Sequence, residues 1–430
     1  MNYPVWYLPS IGGGMLIASI AVIHVFISHF AVGGGLWLVL LETHAWRRQD
    51  KPLYRFTHDF ARFFVFVTLV LGALTGVGIW FVISLVQPAG TSALIHRFVF
   101  IWAAEWVLFL VEIVAITVYL HSFDRLSARR HLTIGRIYCA ASWLSLFVIN
   151  GIITFMLTPG AAPANAGLAA SFFNPTFWPS LLLRTCLAGL LSGLFVMAAA
   201  AFLKDRDLAR RLTRISGCGS LLALCGGLPV GFWYVHSLPA PVQALLAGAS
   251  PTIVRTLSAG RLAALCLLAG FLLAAWRPGR IGKPVALAGL AAGLVLMGSF
   301  EWTREAARRP YVLHGSMYSN GQKVERDTSE PFLADTAWSR STPAGQQLFK
   351  FQCYACHTIG GVNNDMIKRI AGMDKTTLAA YISQLHAIRP FMPPFMGSPE
   401  ERQALADYLV ALKPPLPVPS ITPIPSESLP

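Results

Sequence analysis

Charge is what this chain has least of. Only 13% of its 430 residues are Asp, Glu, Lys or Arg, about half the ~25% of a soluble globular domain. Hydrophobic residues make up 55%. A single water-soluble globule is therefore excluded, and a polytopic membrane protein is expected. Acid is scarcer than base, 20 against 34 residues, leaving a net charge of +14. That excess would suit nucleic acid if it lay on one face, but it is dispersed among alternate loops, so no nucleic-acid partner is expected. Cysteine is sparse too: of seven, Cys139, Cys186, Cys218, Cys225 and Cys266 are scattered through apolar runs, where they read as small core residues, not disulfides. No Gly-rich phosphate loop, nucleophile constellation or soluble repeat is present. Met1–Gly14 has neither a basic n-region nor a small-residue cleavage site, so the first span is expected to be retained.

Apolar runs able to cross about 30 Å of hydrocarbon lie near 14–41, 62–87, 98–121, 132–158, 178–203, 213–235, 258–276 and 284–303. Basic residues cluster after the first, third, fifth and seventh: Arg47, Arg48, Lys51 and Arg55; Arg125, Arg129, Arg130 and Arg136; Lys204, Arg206, Arg210, Arg211 and Arg214; Arg277, Arg280 and Lys283. The intervening stretches Pro159–Pro179 and His236–Val254 carry no charge. By the positive-inside rule the basic loops are cytoplasmic and both termini lie outside. The expected fold class is all-α: an eight-helix transmembrane bundle, N-out and C-out, followed by a small soluble domain. The expected domains are a membrane domain at 1–311, a polar linker at 312–342, a soluble domain at 343–413, and an extended proline-rich tail at 414–430.

The soluble domain contains Cys353-Tyr-Ala-Cys356-His357. C-x-x-C-H is the attachment signature for haem c: two thiols bond the porphyrin vinyls, and the histidine ligates iron. A zinc half-site is the competing reading, but no second Cys or His pair completes it. Downstream, Phe391-Met392-Pro393-Pro394-Phe395 holds a methionine in a proline-stiffened loop, as a soft sixth ligand requires. Met396 is the rival. Ser398-Pro399-Glu400-Glu401 reads as N-cap, Pro at N1 and acidic first turn of a closing helix. The order of these features over 343–413 resembles the class I cytochromes c, which implies one covalent haem c and a location outside the cytoplasm, in the periplasm of a bacterium. That agrees with the loop charges.

Ionisable residues inside spans are costly and hence functional candidates. His24 and His29 lie in the first helix, Glu105 and Glu112 seven apart on one face of the third, and Arg184 and Arg261 near the outer ends of two others. The eighth ends Phe300-Glu301-Trp302-Thr303-Arg304-Glu305-Ala306-Ala307-Arg308-Arg309-Pro310-Tyr311. A satisfied core histidine, snorkelling arginines and an ordinary interfacial helix end are the plain alternatives. With N-out topology, however, His24, Glu105, Arg184, Arg261 and Glu305 share the outer half of the bilayer, a placement that suits haem irons and propionates.

These residues also carry a family resemblance. His24-Val-Phe-Ile-Ser-His29-Phe-Ala-Val-Gly-Gly-Gly closing at Glu42-Thr43, Ala73-Leu-Thr-Gly-Val-Gly, Glu105 and Glu112 before Phe123-Asp124-Arg125-Leu126, and Glu305-x-x-Arg308-x-Pro310-Tyr311 resemble, in that order, subunit I of cytochrome bd oxidases over most of 14–311. The resemblance implies one or two non-covalent haems of b or d type, with His24 and Glu305 as iron ligands, Arg308 beside them, and a second membrane subunit as partner. Glu105 sits seven before Glu112 where the family has eight, leaving its ligand role open. Other departures concern electron entry. Arg184 stands where the family's low-spin haem b has its histidine, and Ala263 where it has its methionine. The quinol loop shrinks to His236–Val254, and the c domain replaces a ninth helix. The resemblance thus implies an electron-transfer subunit in the bacterial inner membrane, in which Arg184 and Arg261 pair with haem propionates and a periplasmic c-type cytochrome or other carrier exchanges electrons with haem c. Whether it reduces O2 or another small oxidant as an enzyme, relays electrons without catalysis, or only anchors the c domain stays open.

Overall fold

The computed structural model describes residues 5–160, 167–333 and 342–413. The proline-rich tail expected at 414–430, and 334–341 of the expected linker, lie outside them. Eight helices are long and apolar enough to cross a membrane: α1 Gly13–Arg48, α2 Lys51–Val86, α3 Pro88–His121, α4 Ala128–Phe155, α5 Phe177–Ala201, α6 Arg206–His236, α7 Thr252–Trp276 and α8 Lys283–Ala307. Several outrun the apolar stretches read from sequence. A helix satisfies its own backbone, so it continues beyond the hydrocarbon until a cap stops it. At the basic ends, Asp50 caps α2 by accepting from Leu53 N at 3.0 Å, and Asp205 caps α6 by accepting from Asp207 N and Leu208 N at 3.0 Å. Among the described residues this is an integral membrane bundle whose outward faces carry large apolar side chains such as Phe100, Leu222 and Trp276, as lipid contact requires.

Small residues set the close seams. At Gly33 of α1 a Cβ would run into the Ala188 carbonyl of α5, and at Gly193 into Ser220 of α6; without side chains there, backbones approach closely, the usual basis of helix association in lipid. Trp37 Nε1 donates to Gly189 O at 2.9 Å across the first seam. Two helices are irregular. α2 contains a π-helical stretch, Phe66–Gly72, and α3 is kinked at Phe98. π-Turns often mark functional positions, and this one ends at Gly72, shortly before Thr75.

The described residues form two compact units. The membrane unit comprises 5–7, Gly13–Arg326 and Phe391–Pro393; the other comprises Leu8–Gly12, Asp327–Pro390 and 394–413. Much of the stretch read as linker is built into the membrane unit. Strands β1 (Tyr311–Leu313) and β2 (Met317–Tyr318) pair antiparallel, Val312 and Leu313 pack with Leu94, Phe98 and Phe155, and Gln87 Nε2 donates to Ser319 O at 3.0 Å. The signal is faint in sequence because strands of three and two residues are too short to show a period.

The second unit is small and helical. α9 (Ala344–Leu348) leads through a tight π-turn into Cys353, and α10 (Lys375–Ser383) and α11 (Pro399–Ala411) complete it. Gly345 lets α9 cross against Ala404 and Tyr408 of α11, where a Cβ would not fit. Ser398 and Glu401 form a capping box with Pro399 at the first turn. The Glu401 carboxylate also accepts from Phe332 N and Leu333 N, each at 2.7 Å, fastening the chain before α9 to the start of α11.

Candidate haem sites

In the small unit, the C-x-x-C-H turn is helical: Cys356 N and His357 N donate to Cys353 O at 3.1 and 3.0 Å. His357 Nδ1 lies 2.9 Å from Asn364 O. A carbonyl can only accept, so Nδ1 carries the proton and Nε2 is the unprotonated nitrogen, the tautomer that ligates a metal. Asn364 adopts a left-handed φ of 46° and donates its side-chain amide to Cys356 O at 3.1 Å, closing the loop on the motif. Burial, then the neighbouring Cys356, pushes the Cys353 thiol up to about 12, so it remains a thiol at neutral pH. Two thiols and a correctly tautomeric imidazole fit a covalent haem. Of the two methionines, Met396 is fully buried, and its backbone is pinned at N by Gln352 Oε1 at 2.9 Å and at O by Gln352 Nε2 at 2.5 Å. Met392 is half-buried in the Phe391–Pro393 segment.

Most of the candidate residues in the membrane unit fall into three polar groups. In the first, His24 Nδ1 sits 3.0 Å from Thr75 Oγ1. Thr75 gives its own proton to Leu71 O at 2.7 Å, so it must accept from His24, fixing the proton on Nδ1 and leaving Nε2 a lone pair. His29 is arranged differently. Its Nδ1 donates to Val25 O at 2.8 Å, while its Nε2 faces Arg184 Nη1 at 3.5 Å. The two histidines of α1 are thus chemically distinct, which spacing alone did not reveal.

In the second, the end of α8 forms a ladder of ion pairs with α5, buried except at Glu305. Arg184, 1% exposed, pairs with Glu301 at 2.6 Å; Glu301 also accepts from Arg304 Nε at 3.1 Å; Glu305 pairs with Arg308, whose Nη1 reaches Met156 Sδ at 3.2 Å. The Arg184 guanidinium lies 5.2 Å from the Phe300 ring centre. Three arginines face two glutamates, and Arg184 Nε and Nη2, Arg304 Nη1 and Arg308 Nε have no hydrogen-bond partner. Buried donors without acceptors each cost about 1–3 kcal/mol. Excess positive charge and orphaned N–H groups fit anionic carboxylates, such as haem propionates. Glu301 and Arg304 were not expected in this network; the sequence offered only their place at a charged helix end. Arg261, by contrast, is exposed and does not appear in the ladder.

In the third, Glu105 accepts from Ser145 Oγ at 3.3 Å, and one Glu112 oxygen is buried without a hydrogen-bond partner. Toward the basic end, Glu42 is held by His131 Nδ1 at 2.6 Å and by Tyr119 OH at 2.7 Å, and His131 Nε2 meets Tyr119 O at 2.9 Å. His131 escaped the sequence reading because it lies among the arginines that open α4. Among the described residues, no cluster of three or more His, Cys, Asp or Glu forms a metal site.

Comparison with known proteins accounts for both units. Residues 15–238 match the family model described as cytochrome bd terminal oxidase subunit I, and residues 340–409 that of cytochrome C oxidase, cbb3-type, subunit III. Glu305 and Arg308 lie beyond the first match. A solved structure, the bd oxidase from Geobacillus thermodenitrificans, is similar at 14% identity, covering 72% of this chain and 90% of that one with a TM-score of 0.61, a likeness of fold. No curated protein matched. The first family match spans more than half of the 430 residues and coincides with a helical bundle of the same fold, so the chain belongs to the cytochrome bd terminal oxidase subunit I family and carries a cytochrome c domain at its C-terminal end.

Proposed function

We propose that this protein is a membrane-bound electron-transfer subunit in which a periplasmic haem c passes electrons to haem in the bundle, in a bacterial inner membrane. The observation that carries the reading is Arg184. A guanidinium has no lone pair to offer iron, and this one is consumed by Glu301. Low-spin haem b, beside which the family oxidises quinol, therefore has no ligand at this position, and Ala263 supplies none at the other. An attached haem c on the outer side offers a replacement entry. Cys353 and Cys356 would hold it, with His357 and Met392 as axial ligands. Pinned at its backbone and sunk in the core, Met396 reads as packing.

In the bundle, His24 through Nε2 and Glu305 would hold haem iron, with Arg304 and Arg308 receiving propionates; Arg184 would offer its two orphaned N–H groups to the same kind of carboxylate. Glu105 and Glu112 remain candidate ligands or proton carriers. Bound haem supplies one-electron chemistry, and a site with an open position would reduce O2 or another small oxidant. The protein's part is to orient the iron ligands, neutralise the propionates and exclude water. A second membrane subunit and a soluble periplasmic donor are the proposed partners; the basic loops, facing the cytoplasm, set this orientation.

The test uses the complex purified with its native partners. Reduced periplasmic cytochrome should reduce the membrane haems in the wild type, and replacing Cys353 and Cys356 together by alanine should block that transfer. Full-rate reduction by quinol in the double variant would place electron entry elsewhere. Failure of a small reductant to reach non-covalent haem in any form, with a haemochrome count of haem c alone, would reduce the membrane part to an anchor.

A further inference from the structure

Leu8–Gly12, the five residues before α1, fold with the small unit. Leu8 N donates to the hydroxyl of Tyr354, the residue inside the C-x-x-C-H motif. Val362 N donates to Ser10 O at 2.9 Å. Gly361 lies so close beneath the strap that a Cβ there would meet the Ser10 carbonyl inside van der Waals contact and the Pro9 carbonyl at 2.8 Å. Gly12, at φ +78°, turns the chain beside Thr358 and Asn363. The strap therefore lies over the loop Thr358–Asn364, whose last carbonyl accepts the His357 Nδ1 proton. The loop is also held from within the small unit: Thr358 N and Oγ1 reach Asn363 O at 2.9 and 3.0 Å, Gly360 N reaches Asp365 Oδ1 at 2.8 Å, Met366 N reaches Thr358 O at 2.8 Å, Asn364 Nδ2 reaches Cys356 O at 3.1 Å, and Arg369 Nη2 reaches Asn364 Oδ1 at 3.1 Å.

We propose that Leu8–Gly12 is a positioning strap for the haem c iron: it fixes the loop that sets the hydrogen bond on the proximal histidine, and so tunes the haem c potential from the segment that runs without a break into the helix carrying His24 and His29. The proposal rests on the reading that Cys353–His357 bind haem c. The mechanism is one of ligand basicity. A firm Nδ1–H···O bond makes the imidazole a stronger electron donor and favours ferric iron; a loosened bond weakens that donation and favours ferrous iron. The strap's effect would pass through Asn364 O, the atom that accepts the His357 Nδ1 proton.

Two variants of the full-length holoprotein separate this from simple packing. Tyr354→Phe removes the acceptor for Leu8 N and keeps the ring; Gly361→Ala pushes the strap off by its Cβ. Gly372→Ala, whose Cβ would meet nothing within 4 Å, is the control in the same unit. In each, hydrogen exchange at the Val362 amide, the reduced-to-oxidised ratio of haem c at a fixed solution potential, and haem c content are measured. Both strap variants should exchange Val362 at least about tenfold faster and raise the reduced-to-oxidised ratio by about threefold or more, with haem c content unchanged and the control unmoved. Unchanged Val362 exchange in Gly361→Ala means the strap does not hold the loop, and the proposal falls. Faster exchange with an unmoved ratio makes the strap packing only and also overturns it. Absence of haem c from the wild type would overturn the haem reading itself, visible in the content measurement before either variant is examined.

Discussion

Breaking the Arg184–Glu301 pair from its two sides should give unequal damage. Both side chains are buried, and removing one partner of a buried pair typically costs about 3–5 kcal/mol because the survivor keeps an uncompensated charge. The survivors differ here. In Arg184→Met, Glu301 still accepts from Arg304 at 3.1 Å, so the loss belongs at the low end, about 3 kcal/mol. In Glu301→Gln, Arg184 keeps its charge with no carboxylate to compensate it, only a neutral amide oxygen, His29 at 3.5 Å and the Phe300 ring, and two of its N–H groups already lack partners; that loss belongs near 5 kcal/mol. The double variant Arg184→Met/Glu301→Gln removes both charges and should be no worse than the poorer single variant. Thermal unfolding in one detergent, followed by tryptophan fluorescence across all four proteins, reads the order directly. Additive losses in the double variant, or a larger loss in Arg184→Met than in Glu301→Gln, would refute the argument that the two buried charges compensate each other and that Arg304 shields Glu301.

The legible parts of this molecule were those written in composition or in contiguous motifs. Eight spans emerge from apolar length because lipid tolerates little else, and the capping box at Ser398 emerges because its chemistry is local. The haem c domain follows from five residues whose spacing is itself the chemistry. What stayed illegible was pairing at a distance. His24 and His29 look alike in sequence; their tautomers differ because one meets Thr75 from α2 and the other Val25 and Arg184. Arg184 was marked as a departure, but its answer, Glu301, lies 117 positions on in a helix end that composition alone assigns to the interface. Arg261, similar in its sequence setting, is exposed. The strap at Leu8–Gly12 has no sequence signal, since its bonds to Tyr354 and Val362 use backbone groups that every residue has.

Met392→Ala should keep haem c attached but remove the absorbance band of His/Met ferric iron and lower the potential; loss of that band in Met396→Ala instead would exchange the two methionines' roles. Glu401→Ala strips acceptors from Ser398 N, Phe332 N and Leu333 N and should destabilise the small unit by about 3 kcal/mol, read as earlier loss of haem c optical structure on heating. His314 is lowered by burial from its usual value, so the unfolded state binds more protons than the folded state as the pH falls through that value. Its contribution holds above the ordinary value of 6.5 and is lost as pH falls below it, and His314→Phe should flatten that part of the thermal stability profile. The final test separates the α1 histidines by haem content. His24 has a lone pair at Nε2 and a fixed tautomer, so His24→Ala should remove one non-covalent haem. Because His29 Nε2 is engaged by Arg184, His29→Ala should leave that haem in place and disturb the ion-pair ladder instead. Thr75→Val supplies the internal check: it keeps the volume of Thr75, removes the acceptor for Nδ1–H, and should weaken haem retention about 10- to 100-fold, as loss of a ligand's hydrogen-bond partner does. Haem lost in His29→Ala but retained in His24→Ala would show that the histidine tautomers do not decide which residue meets the iron.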